Sequence, residues 1–193
     1  LMYLDGGVYL DTDTIIVNPF DNVPRNSIGF QDAAEDRLNG AVLSFEPGSE
    51  YIKACMQEFF STFNNRAWGN NGPHLLTRVF FGKAEGENTT YTKDWDVQTV
   101  NQQLFQPFEW RRIRSQCFKQ TDKSHVQNTL ESIRDGSFAV HLNNHVIQGR
   151  RRARGSACDC LYNNFCLSSK DKSGGPCASL YHDRSKNSTL ATK

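Results

Sequence analysis

The hydrophobic residues of this chain change period along its length, from strand-like runs to a 3.6-residue repeat and back. That alternation predicts an α/β sandwich rather than an all-β fold or a helical bundle. Val8-Tyr9-Leu10 and Ile15-Ile16-Val17 are β-prone runs on either side of a polar triplet, and Asn18-Pro19 ends the second. Ala41-Val42-Leu43-Ser44-Phe45 follows Asn39-Gly40 and stops before Glu46-Pro47-Gly48, as a buried strand does. Tyr51, Ile52, Cys55, Met56, Phe59, Phe60 and Phe63 then recur at helical spacing, and Asn64-Asn65 supplies a stop. Pro73 opens a short second helix with Leu75, Leu76, Val79 and Phe80 on one face, ending near Gly82. A polar, loop-like stretch at 83–93 and an aromatic, proline-interrupted loop, Phe105-Gln106-Pro107-Phe108-Glu109-Trp110, come next. Val126, Leu130 and Ile133 suit one more helix, closed by Gly136, before the strand-like Phe138-Ala139-Val140-His141-Leu142. No internal repeat is visible.

At 193 residues the chain has the size of a single domain. Its 22 basic and 21 acidic side chains leave a net charge of +1, which removes the electrostatic case for nucleic acid as a partner. No apolar run approaches the roughly 18 residues needed to cross a bilayer, and the first residues lack the basic-then-apolar pattern of a secretory signal. The opening Leu1-Met2-Tyr3-Leu4-Asp5-Gly6-Gly7 reads as the middle of a structural unit, so a fragment incomplete at its N-terminus is expected. Beyond Gly149, Arg150-Arg151-Arg152 and Arg154 lead into a Ser/Lys/Gly-rich stretch without periodicity. Residues 1–149 are therefore expected to form the domain and 150–193 a loosely ordered tail. Cys158, Cys160, Cys166 and Cys177 crowd that tail, while Cys55 and Cys117 are solitary. The close pair is Cys-x-Cys rather than the Cys-x-x-Cys that structural zinc favours, which leaves disulfides in an oxidising lumen or free thiols as the open readings. Asn88-Thr89-Thr90 and Asn187-Ser188-Thr189 fit the N-glycosylation pattern and point to the secretory pathway.

Chemistry concentrates at Asp11-Thr12-Asp13. The chain also holds the acidic pairs Glu85-Gly86-Glu87 and Asp94-Trp95-Asp96, but only Asp11 and Asp13 interrupt a pair of apolar strands. Residues two apart on an extended chain project to the same side. Two carboxylates so placed at a buried edge repel one another and lose hydration, and a hard divalent cation with oxygen ligands compensates both effects. Mn²⁺ or Mg²⁺ is implied, with a solvated turn between strands as the alternative. Gly6-Gly7 suits either a close backbone approach to a ligand or a simple tight turn.

Leu4-Asp5-Gly6-Gly7-Val8-Tyr9-Leu10-Asp11-Thr12-Asp13 resembles the GG-x-Y-x-D-x-D signature of the sugar-nucleotide-dependent glycosyltransferases of family 32. Leu38-Asn39-Gly40-Ala41, the stretch from Trp68 through Gly69-Asn70-Asn71-Gly72-Pro73 to Val79, Phe105 to Trp110, and Ala139-Val140-His141 look like the α-1,4-glycosyltransferase subgroup, in the same order. The resemblance implies a GT-A-type fold, a mixed sheet flanked by helices, with an Asp-x-Asp metal site. By that likeness Asp11 and Asp13 hold Mn²⁺, or Mg²⁺, on the diphosphate of a UDP-sugar, and His141 is the third protein ligand rather than a packed histidine. Gly6, Gly7, Tyr9, Asp11, Asn39, Gly40 and Gly72 fall on the donor side. Asn71 stands near the reacting sugar, or caps the second helix. Trp68 and Trp110 stack on acceptor sugar faces, or belong to the core. Two positions differ from the pattern: Asp5 replaces an aromatic before Gly-Gly, and Asn143 replaces a tryptophan.

The activity implied is retaining, Mn²⁺-dependent transfer of galactose or N-acetylglucosamine from a UDP-sugar, in α-1,4 linkage, to a glycolipid or glycan acceptor. Asp13 and Asn71 are its candidate catalytic residues. The implied setting is the Golgi lumen, in a single-pass membrane protein whose anchor lies upstream of this chain. Two alternatives remain at this stage. One is a haloacid-dehalogenase-type phosphatase, whose nucleophile motif is also Asp-x-Asp; the other is a glycan- or nucleotide-binding relic of the fold without turnover.

Overall fold

The structure is a computed structural model that describes residues 1–32, 37–82 and 94–165. The polar stretch at 83–93, both glycosylation triplets, Cys166 and Cys177 lie outside those residues. The fold is mixed α/β, as the alternating periods predict, and its strands divide between two sheets. Strands β1 (Gly7–Leu10), β3 (Ser27–Asp32), β4 (Arg37–Phe45) and β5 (Gln98–Val100) form one sheet in the order β1-β4-β3-β5. Its β1/β4 and β3/β4 pairs are antiparallel, whereas β3 and β5 run parallel. Strands β2 (Thr14–Ile16) and β6 (Ala139–His141) form a separate antiparallel pair with Thr14 opposite His141.

The two strands that flank Asp11-Thr12-Asp13 thus belong to different sheets, and the acidic triplet is the crossing between them. Backbone bonds fasten each side of the crossing. Asp11 N–H donates to Ala41 O at 2.9 Å in the first sheet, and Leu142 N–H donates to Asp13 O at 3.0 Å just beyond the second.

Helices α2 (Glu50–Thr62) and α3 (Pro73–Phe81) cover the larger sheet, burying Tyr51, Ile52, Cys55, Leu75 and Leu76 against Ile28, Leu38 and Phe45. Ser49 caps α2 by accepting from Ile52 N–H, and Tyr51 donates its hydroxyl proton to Leu76 O at 2.8 Å. The helical stripe of α2 is buried only in its first half. Met56, Phe59, Phe60 and Phe63 are exposed among the described residues.

Asn39-Gly40 lies within β4, which begins four residues earlier than the Ala41–Phe45 run expected from sequence. Register jumps there, because Ile28 faces Leu43 while Gly29 faces Asn39, so the intervening β4 residues bulge. Gly40 fits because a Cβ at that position would lie 3.0 Å from Leu76 Cδ1, against which α3 closes.

The second core joins β2 and β6 to α5 (Lys123–Gly136), a π-helical turn at Arg114–Phe118, α6 (Asn144–Ile147) and α7 (Ala157–Phe165). The α7 helix corrects the expectation of a loosely ordered tail from residue 150. Ala157, Cys158, Cys160 and Leu161 are at most 2% exposed within this core. A disulfide joins Cys158 to Cys117 across 41 residues, and Cys160 is disulfide-bonded as well. These bonds settle the thiol question for the three cysteines, and the apolar face of α7 is too short, between an arginine run and a polar stretch, to stand out in sequence. Cys55 is a buried free thiol that burial pushes up to about 12, so it packs rather than reacts. Strands β3 and β5 and the short helices α1 (Met2–Asp5) and α4 (Gln102–Phe105) were not expected either. Phe105 and Phe108 anchor the proline-interrupted segment in the interior.

Candidate active site

Asp11, Asp13 and His141 meet at the crossing between the sheets. One potential ligand atom from each lies within 4.8 Å of the others. His141 Nε2 is 3.4 Å from Asp13 Oδ1 and 3.8 Å from Asp11 Oδ2. It arrives there because Thr14 pairs with His141, which sets the imidazole beside the acidic triplet from a position about 130 residues away in sequence.

Each carboxylate gives one oxygen to a protein donor and leaves the other facing the imidazole. Tyr9 donates its hydroxyl proton to Asp11 Oδ1 at 2.8 Å, and Asn144 N–H donates to Asp13 Oδ2 at 2.7 Å. Outer hydrogen bonds of this kind orient ligands toward a metal. Ligands to an ion held at about 2.1 Å lie about 3 Å apart when adjacent, so the carboxylate–imidazole separations suit an ion drawing the group slightly together. The donor set of two carboxylate oxygens and one imidazole nitrogen matches Mn²⁺ or Mg²⁺ better than a thiophilic ion. His141 is 7% exposed and its Nδ1 has no partner among the described residues, so the polar contacts of the ring lie on the carboxylate side.

Electrostatics keep the site anionic. Burial opposes ionisation of Asp13, but the His141 hydrogen bond, the Asn144 N–H and the imidazole charge together outweigh it and hold that carboxyl at about 2. The hydrogen bond to Asp11, then burial, then the two carboxylate charges push the Tyr9 phenol up to about 12. Tyr9 therefore stays protonated and keeps donating. Tyr9→Phe is expected to loosen Asp11 and weaken Mn²⁺ binding by about 10- to 100-fold with the fold intact. Calorimetric titration with Mn²⁺ measures this, and an unchanged affinity rejects a positioning role for the phenol.

Asn143 departs from the resemblance for a reason visible in the backbone. It is 2% exposed and adopts φ 52°, a left-handed conformation that asparagine tolerates far better than a bulky aromatic residue. That turn, directly after β6, delivers Asn144 N–H to Asp13.

The three candidate ligands stand in a cleft of about 540 Å³ whose walls include Asn39, Gly40, Trp68 and Gly72. Asn39 is 5% exposed and its Oδ1 accepts from Ala41 N–H at 2.7 Å, which supports the bulged strand. Asn71 lines the cleft, but its amide is engaged in holding the loop. Oδ1 accepts from Asn64 N–H and from Asn70 Nδ2, each at 3.0 Å, while Nδ2 donates to Asn64 O at 2.9 Å. These bonds fix the amide in place at the cleft wall, with one Nδ2 proton not used by them. Asn71 does not cap α3, whose N-cap is Gly72.

Gly6 and Gly7 do not line the cleft. Gly6 has φ +64°, and a Cβ there would lie 2.7 Å from Pro47, so the residue serves the reversal from α1 into β1. The two tryptophans separate as well. Trp68 is on the cleft wall and 61% exposed, whereas Trp110 is not among the residues lining the cleft. His145 stands between them, with its ring 4.3 Å from Trp68 and 6.4 Å from Trp110. Burial, followed by the nearby His141, lowers the pKa of His145, and Asp13 partly offsets them.

Sequence reasoning gave no site role to four polar cleft residues: Gln31, Asn143, Asn144 and His145. Gln31 is 2% exposed on the unforeseen β3, and Asn144 acts through its backbone. His145 had one available signal, its place four residues after His141.

The family model described as "Alpha 1,4-glycosyltransferase conserved region" matches residues 44–172. Lactosylceramide 4-alpha-galactosyltransferase of Homo sapiens is 34% identical over 152 residues, a span covering 78% of this chain and 41% of the relative. The protein of the same name from Pongo pygmaeus is 33% identical over 152 residues, covering 78% and 66%. Alpha-1,4-N-acetylglucosaminyltransferase of Homo sapiens is 31% identical over 170 residues, covering 83% and 46%. The chain thus spans less than half the length of the two human relatives. No solved structure gives a significant match.

Proposed function

The chain belongs to the α-1,4-glycosyltransferase family, and from that premise we propose that it carries the metal and donor site of a retaining hexosyltransferase. The proposed reaction moves galactose or N-acetylglucosamine from a UDP-sugar, in α-1,4 linkage, to a glycolipid or glycan acceptor. The convergence of Asp11, Asp13 and His141 within 4.8 Å in a sugar-sized cleft carries this reading. A bound Mn²⁺ or Mg²⁺ would supply positive charge to neutralise the diphosphate as it departs. Asp11, Asp13 and His141 would hold the ion; Tyr9 and the Asn144 N–H keep the carboxylates aimed. Gly72 leaves open space for the donor at the start of α3, Gly40 lets α3 close on β4 at the cleft wall, and Trp68 offers its exposed ring to an acceptor sugar.

Among the described residues lining the cleft, the only carboxylates are Asp11 and Asp13. Both belong to the metal group, so neither is free to act as a nucleophile. Retention then favours same-face attack over a covalent glycosyl-enzyme. The Cys117–Cys158 disulfide suits an oxidising compartment such as the Golgi lumen. No helix among the described residues is long and apolar enough to cross a membrane.

Calorimetry of UDP with and without Mn²⁺, followed by transfer assays with UDP-galactose and UDP-N-acetylglucosamine, tests the proposal. The expected result is UDP binding that requires the metal, together with transfer to a galactose-terminated acceptor. UDP binding indifferent to Mn²⁺ would remove the metal role, and metal-dependent binding without transfer would indicate a relic. The phosphatase alternative is disfavoured by the family the chain belongs to, and release of phosphate from a phosphate ester would reinstate it.

A further inference from the structure

The polar side chains of the cleft divide into committed and uncommitted groups. Asp11, Asp13 and His141 form the candidate metal group, and Tyr9 bonds Asp11. Asn39 supports its own strand, Asn71 ties its loop, and Asn143 Nδ2 donates to His141 O at 3.4 Å. The side chains of Gln31, Asn144 and His145 make no hydrogen bond among the described residues, although all three residues line the cleft.

Position singles out His145. Asn144 N–H is fastened to Asp13, so the residue that follows is held beside the metal group, near enough for the charges of His141 and Asp13 to act on it. Its ring also meets that of Trp68 at 4.3 Å, with the planes inclined by 38°. Gln31 instead lies on β3, with β4 between it and the strand that leads to Asp11.

The two rings come from separate parts of the fold. Trp68 is carried by the loop between α2 and α3, and His145 by α6, whose Val146 and Ile147 pack in the second core. They meet at the cleft, where Trp68 remains 61% exposed and His145 is exposed as well. An indole with most of its surface open receives the apolar face of a pyranose. A neutral imidazole offers one hydrogen-bond acceptor and one donor. Burial and His141 lower the pKa of His145, which keeps the ring in that form at neutral pH.

We infer that His145 binds the acceptor sugar, its imidazole taking a hydrogen bond from the hydroxyl that attacks the donor while the pyranose lies on Trp68. The carboxylates of the cleft are not free for this task, because Asp11 and Asp13 belong to the metal group. The Asn143-Asn144 turn then serves both substrates: its N–H aims Asp13 at the ion, and its next residue aligns the attacking hydroxyl. Which hydroxyl attacks is selected by the corner between Trp68 and His145. The inference rests on the transfer reading proposed above and names the residue that receives its acceptor.

Lactose serves as a soluble, galactose-terminated probe. Imidazole resonances of the full chain are followed by NMR as lactose is added, alone and with Mn²⁺ and UDP. The His145 signals should shift, and those of His125 on α5 should stay in place. His145→Phe keeps a ring against Trp68 but removes both nitrogens. It should lower kcat/KM for lactose about 10- to 100-fold, while the KM for the UDP-sugar and the Mn²⁺-dependent binding of UDP match the parent. His145→Gln, which restores an acceptor, should recover part of the loss, and it takes the place of the phenylalanine variant if that one melts early. No shift at His145 in either condition overturns the proposal, as does parental transfer by His145→Phe. Loss of metal-dependent UDP binding in that variant also overturns it, since His145 would then belong to the metal group. If the parent itself binds UDP without regard to Mn²⁺, the transfer reading fails, and the lactose shift at His145 still decides this one.

Discussion

Asp13→Asn is expected to lower transfer by about three orders of magnitude and to erase the dependence of UDP binding on Mn²⁺. Both carboxylate oxygens are in use: Oδ2 receives Asn144 N–H at 2.7 Å, and Oδ1 faces His141 Nε2 at 3.4 Å. An amide offers one acceptor and one donor. The N–H of Asn144 takes the acceptor, because a donor turned toward it would set two N–H groups against each other. The amide nitrogen is then directed toward Asp11 and His141, where its protons occupy the space a cation would take. The substitution therefore removes a charge and reverses the polarity of one ligand position, while the crossing between the sheets keeps its backbone bonds. Steady-state transfer, UDP calorimetry with and without Mn²⁺, and a thermal melt check the three parts of the prediction. Turnover within tenfold of the parent, or unaltered metal-dependent binding, excludes Asp13 as a ligand.

The second large effect concerns α7. Replacing Cys117 and Cys158 together by serine should destabilise the protein by about 4 kcal/mol, because the bond closes a loop of 41 residues whose entropy is otherwise regained on unfolding. For a chain of this size that corresponds to a melting temperature lower by roughly 10 °C. Both side chains are fully buried, so the serine hydroxyls add a desolvation cost. Because Leu142 and Ile147 share the core of α7, loosening it should reach the Asn143-Asn144 turn. Transfer should then be lost at a lower temperature than in the parent. A calorimetric melt of the oxidised parent, the reduced parent and the double variant measures the effect. A variant that melts within about 2 °C of the parent would show that packing alone holds α7.

The sequence exposed those parts of the fold whose physics is local. The β1 and β2 runs, the apolar faces of α2, α3 and α5, and the proline that opens α3 all came from short-range pattern. Strand β3 did not, because Ser27-Ile28-Gly29-Phe30-Gln31-Asp32 lacks both a continuous apolar run and clean alternation. It is buried through its pairing with β4 and β5. The lower half of α2 shows the converse: a period of 3.6 identifies a shared face without saying what covers it.

At the site, Asp11 and Asp13 announce themselves by interrupting apolar runs, and His141 joined them through the family resemblance. The residues that complete the arrangement were out of reach of pattern. Asn144 contributes a backbone N–H, Asn143 a left-handed turn, and Gln31 a place on an unforeseen strand. Asn71 shows a different limit: the motif placed it at the cleft, but the bonds that tie its amide to the backbone of Asn64 were not legible in the sequence.

The acidic triplet belongs to neither sheet, yet each fastens one end of it, and the third candidate ligand comes from the far end of the domain. Any cation settling there acts as a rivet between two sheets that already meet through Val42, Val100, Phe105 and Ala139. Its binding energy is available only while both are folded and in register, so occupancy should raise the stability of both and slow local opening on each side of the joint.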